Sequence, residues 1–139
     1  TDAATELFHT LAGDIQQTEV ELSRVSDLMA AVVQYAKTRP AFDGYKAAKY
    51  SRKYLAEHEA VLADYRAAKA TMAELLGGEK LPKMDVLKEK RRQLAARKKA
   101  LYLEYRKAQQ DMRELVAVKG SVDHLRGLTD SQRNKEQAR

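Results

Sequence analysis

Ten positions in the first 36 residues follow one another at alternating steps of four and three: Ala4, Phe8, Leu11, Ile15, Thr18, Leu22, Val25, Met29, Val32 and Ala36. Only Thr18 among them is polar. Unbroken heptad phase of that length leaves a chain one solution: a long helix that lays a single apolar stripe along other helices. The pattern predicts a helix over about 3–38. Asp2 stands where a capping acceptor belongs, and Arg39-Pro40 is the expected stop, because a residue before proline is driven out of helical geometry.

The same spacing returns twice. A second segment is expected over about 40–77. Its opening PAFDGYKAAK is weakly helical, a break is expected near Ser51, and Ser51 caps the stronger part. Tyr54, His58, Val61, Tyr65, Ala68, Met72 and Leu75 form its seam, and Gly77-Gly78 supplies a left-handed stop. After a connector the third helix is expected over about 84–126, with Leu87, Leu94, Leu101, Tyr105, Ala108, Met112, Leu115 and Val122 on its seam. The polar remainder, 127–139, reads as a disordered tail. No segment alternates with the period of a strand. The expected fold is therefore all-α: one domain over 1–126, in which three long antiparallel helices form a coiled-coil-like bundle.

Composition narrows the function classes. The 139 residues contain no cysteine, so disulfides and thiolate metal sites are excluded. The longest apolar run, residues 28–33, is far too short to cross a bilayer, so no membrane insertion is expected. No signal peptide precedes the first helix, and a start at threonine suggests a piece of a larger protein.

Charge is unevenly placed within the net +6. Residues 1–36 hold six acids and one base, whereas residues 79–119 hold thirteen bases and six acids. On a helical wheel Lys88, Arg92, Lys99, Arg106 and Arg113 share one flank of the third helix, a stripe about 38 Å long, with Tyr102 beside it. Such a stripe has two readings. Its bases face the acids of the first helix and keep a long bundle in solution. Alternatively they follow a nucleic-acid backbone, with Tyr102 as a stacking or sugar contact. An anionic membrane fits less well, because the stripe lacks the apolar face an interfacial helix needs.

Catalytic and cofactor chemistry finds no footing. His9, His58 and His124 lie on different predicted helices with no ligand spacing. His58 has acidic neighbours, but adjacent helical side chains diverge by about 100°. No glycine-rich loop follows a strand, and the tyrosines fall mostly on or near seams, where packing is their default. No enzyme activity, cofactor, metal or small-molecule substrate is expected of this chain.

The stretches Gln34 to Arg39, YKAAKYSRKYLAEHEAVL (45–62), Lys80-Leu81-Pro82 and LYLEYRKAQQDMRELVAVKGSVDHL (101–125) resemble the C-terminal helical region of relaxases. These are the mobilization nucleases of conjugative and mobilizable elements, particularly of Gram-positive gut bacteria. The resemblance runs through about 34–125. It implies a cytoplasmic protein of plasmid transfer whose tyrosine nucleophile and histidine-held metal belong to a nuclease domain not contained in this chain. No histidine or tyrosine here inherits those roles. The implied function is an accessory helical domain that supports DNA processing through backbone contacts or relaxosome assembly. The alternative is a structural coiled coil that oligomerises or docks a protein without touching DNA. The partners implied are DNA, relaxosome or secretion-system proteins, and a second copy of the chain.

Overall fold

A computed structural model describes the backbone of residues 2–137 and the side-chain surroundings of residues 2–127. It is all-α, with four helices and no strand among the described residues: α1 (Asp2–Ala47), α2 (Arg52–Glu57), α3 (Glu59–Leu76) and α4 (Met84–Gln137).

Two boundaries differ from the sequence expectation. The first helix does not stop before Pro40 but continues through it to Ala47, so the weakly helical start of the expected second segment belongs to α1. An interior proline costs roughly 3 kcal/mol through a lost hydrogen bond and a clash. Packing beyond it offsets that cost. Phe42 stacks on Tyr65 with ring centroids 4.4 Å apart, and Tyr45 stacks on Tyr54 at 5.9 Å. The second difference lies at the other end. Helix α4 runs past Gly127 to Gln137, where a disordered tail was expected, and residues 138–139 lie outside the described residues. Residues 128–137 contain no proline, and extending an existing helix needs no new nucleus.

The break near Ser51 is present. Lys49 and Tyr50 adopt φ of 55° and 59°, the left-handed region, and reverse the chain. Backbone bonds close the corner, with Ala48 N donating to Gly44 O and Tyr50 N to Tyr45 O, both at 2.9 Å. Ser51 Oγ then accepts from Tyr54 N at 3.4 Å and caps α2. A further interruption at His58, with φ of −122°, separates α2 from α3. Helix α3 ends as expected, with Gly77 at φ 55° and its N–H on the Ala73 carbonyl.

The chain forms two compact units, residues 17–97 and residues 1–16 with 98–139. In the first, α2 and α3 run back along α1: Tyr54 Oη of α2 donates to the Ala41 carbonyl at 2.7 Å, and Tyr65 of α3 stacks on Tyr35 at 5.2 Å. The core joins Val25, Leu28 and Met29 of α1 to Leu87 and Leu94 of α4, with Met72, Leu75 and Leu76 of α3 packed against them. The three-helix arrangement expected from the seams is realised here. In the second unit Phe8 of α1 stacks on Tyr105 of α4 at 4.7 Å, and Leu11, Ile15 and Ala108 are buried. No buried side-chain polar atom among the described residues lacks a partner.

The corner gives two stability predictions. A Cβ on Gly44 would run into the Tyr54 hydroxyl and dislodge it from Ala41, so Gly44→Ala should cost about 1–3 kcal/mol in denaturant unfolding. Lys49→Gly removes the left-handed penalty of a side-chain-bearing residue, so it should stabilise by about 1 kcal/mol and raise Tm by a few degrees.

Candidate nucleic-acid interface

A regular helix returns every seventh residue to nearly the same azimuth, lagging by about 20° per heptad. Lys99, Arg106 and Arg113 are such a series on α4, and all three are exposed. They belong to the unit formed by residues 1–16 and 98–139. Among the described residues no carboxylate pairs with any of them. The segment from Lys99 to Arg113 carries the three charges over about 21 Å. Tyr102 sits on the same side but is half-buried and already engaged in a contact, so it is not a freely presented ring.

The other two bases of the expected stripe, Lys88 and Arg92, lie in the 17–97 unit. Lys88 is exposed. Arg92 is held by Glu89 in a two-point pair, Nε to Oε2 at 2.9 Å and Nη2 to Oε1 at 2.6 Å, and Gln93 donates to the same carboxylate at 3.2 Å. The Arg92 hydrogen bonds hold the Glu89 carboxyl below the usual carboxylate range and keep the guanidinium firmly protonated. Both side chains are largely in water, so the pair adds little stability. Its consequence is electrostatic: the Arg92 charge is met locally. An acid three residues ahead of an arginine is legible in a sequence, and this pair is the signal that separates Arg92 from the other four bases.

The histidines lie in different surroundings. The His58 ring stacks on Tyr54 at 3.9 Å, and its Nδ1 lies 2.9 Å from the Tyr54 carbonyl. His9 meets the Phe8 ring edge-on, and His124 is exposed. Among the described residues no group of three or more His, Cys, Asp or Glu is placed to hold a metal ion. Burial and the hydrogen bond that the Tyr65 hydroxyl donates to Tyr35 push the Tyr65 phenol up from 10.0, away from the ionised form a nucleophile requires. The grooves along the helices are open; the one between α1 and α3, about 500 Å³, is lined largely by Ala30, Ala31, Ala67 and Ala68 with Asp27, Asp64 and Glu74. Among the described residues no helix is long and apolar enough to cross a membrane. Comparison with protein-family models, with curated proteins and with solved structures finds no match.

The Tyr65 shift makes a pH prediction. A phenol whose folded pKa exceeds its unfolded value stabilises the fold fully below the unfolded pKa and loses that contribution as pH rises through the folded one. Stability should therefore fall above about pH 10, and Tyr65→Phe should flatten that fall in denaturant unfolding followed between pH 8 and 11.

Proposed function

We propose that this chain is a non-catalytic helical module that grips a DNA backbone through the α4 flank of Lys99, Arg106 and Arg113. In this reading it is the accessory part of a relaxase-type protein, working in the cytoplasm on DNA processing for conjugative transfer and in assembly of the relaxosome. The observation that carries the DNA contact is the exposure of three cations at heptad spacing with no carboxylate partner among the described residues. An unpaired cation releases a condensed counterion when it replaces one at a phosphate, and that release drives sequence-independent binding. The setting in DNA transfer rests on the sequence resemblance over about 34–125.

Arg92 contributes less in this scheme, because Glu89 already meets its charge and the pair must open before a phosphate can replace the carboxylate. Tyr102 serves as a positioning group at the flank's edge rather than as a stacking platform, since its ring is half-buried.

Titrating a short labelled duplex with the chain at several salt concentrations tests the reading. Three phosphate contacts predict a slope of log affinity on log salt near about −2.7. Neutralising Lys99, Arg106 and Arg113 together to glutamine should remove most of that slope, while Arg92→Gln should weaken binding less than Arg106→Gln does. Absence of binding at low salt would sink the proposal and leave the structural coiled coil as the account of the chain.

A further inference from the structure

Beside the face that meets α1, α4 carries a second apolar stripe. In the unit formed by residues 1–16 and 98–139, the first turns of α1 place Ala4 and Thr5 in a shared groove with Met112, Leu115 and Val116. Leu115, at the edge of that groove, and Val118 and Val122 are 49%, 62% and 41% exposed, and Leu125 is 62% exposed. Single exposed apolar residues are ordinary on a protein surface. Here the steps are three, four and three, the spacing of a coiled-coil seam, and the stripe lies about a quarter turn from the face that meets α1.

The residues beside this stripe say what fits it. Taking Leu115 and Val122 as a positions and Val118 as d, Glu114 stands at g on one side and Lys119 at e on the other. Both are exposed. In a parallel, in-register pair of identical helices each g residue faces the e residue five positions on in its neighbour. Glu114 then meets Lys119 of the partner subunit, and two-fold symmetry makes the contact twice. An antiparallel pair would instead bring Lys119 against Lys119 of the partner subunit, a like-charge contact at the centre of the seam.

We infer that the exposed stripe of Leu115, Val118 and Val122 is a self-association surface that pairs α4 with α4 of a second copy, parallel and in register. The charge complementarity of Glu114 and Lys119 carries the choice of a second copy and of its direction. Two heptads bury less than a standard interface, so the dimer is weak, dispersed at about 1 µM and formed at roughly 100 µM. The basic flank lies on a different face of α4, so self-association stands independently of DNA contact.

Sedimentation of the whole chain without nucleic acid, over that concentration range, tests the inference. The wild type should shift from monomer to dimer. Val118→Glu should abolish the shift without loss of helical circular dichroism, since the side chain is exposed. Glu114→Lys and Lys119→Glu should each weaken the dimer about fivefold, and combining them should restore it to within about twofold. A wild type that stays monomeric overturns the inference. So does a dimer indifferent to Val118→Glu, which uses another face, or one that the double reversal fails to restore, which is not parallel and in register.

Discussion

The structure depends on the burial of one apolar stripe per helix. Val25, Leu28 and Met29 on α1 and Leu87 and Leu94 on α4 meet with α3 side chains packed around them. None of these helices has an all-round apolar surface, and each gains its stability from the neighbour that removes its stripe from water. Each buried Leu or Met is worth about 1.5–3 kcal/mol, enough to outweigh local backbone penalties. Those penalties are visible. A proline stands inside α1, and Lys49 and Tyr50 turn the chain in left-handed conformation without a glycine between them. Both are tolerated because the aromatic rings of Phe42, Tyr45, Tyr54 and Tyr65 stack around the reversal.

Much of this was legible in the sequence. Heptad phase identifies Leu11, Ile15, Thr18, Val25 and Met29 on α1, and Leu87, Leu94 and Ala108 on α4, and all are buried. Ser51 and Gly77 do the local work their chemistry suggests. What escaped the pattern follows from competition between local and tertiary terms. Pro40 is a breaker by its own geometry, yet the aromatic contacts Phe42–Tyr65 and Tyr45–Tyr54 join residues well apart along the chain and no local rule contains them. On α3 the expected seam residues Tyr65 and Ala68 are buried, but Leu62, among the most buried side chains, was not on that seam, and Val61, which was, is half-buried. Beyond Gly127 the sequence is almost entirely polar, but a polar sequence without proline can still be helix, and α4 continues to Gln137.

The candidate site was legible as a stripe but not as a set of equivalent charges. A helical wheel aligns five bases and cannot weigh their partners. In the fold, Arg92 is met by Glu89, whereas Lys99, Arg106 and Arg113 face no carboxylate among the described residues. The acid that meets Arg92 belongs to its own helix and not to α1, so the expected pairing of the stripe with the acids of the first helix does not describe it. Along its outer part α4 offers three distinct faces, one against α1, one basic and one apolar. Separate faces let one helix hold the fold and still meet partners of different chemistry.

The central claim is that the basic face of α4 is the contact for a nucleic-acid backbone. Side-chain NMR reads it most directly, by following the Arg106 and Arg113 guanidinium and Lys99 ammonium signals as a short duplex is added at low salt. The account predicts progressive shifts at these three residues, smaller ones at Arg92, and none at the half-buried Phe8–Tyr105 stack. Shifts confined to other surfaces, or none at any duplex concentration, would contradict it.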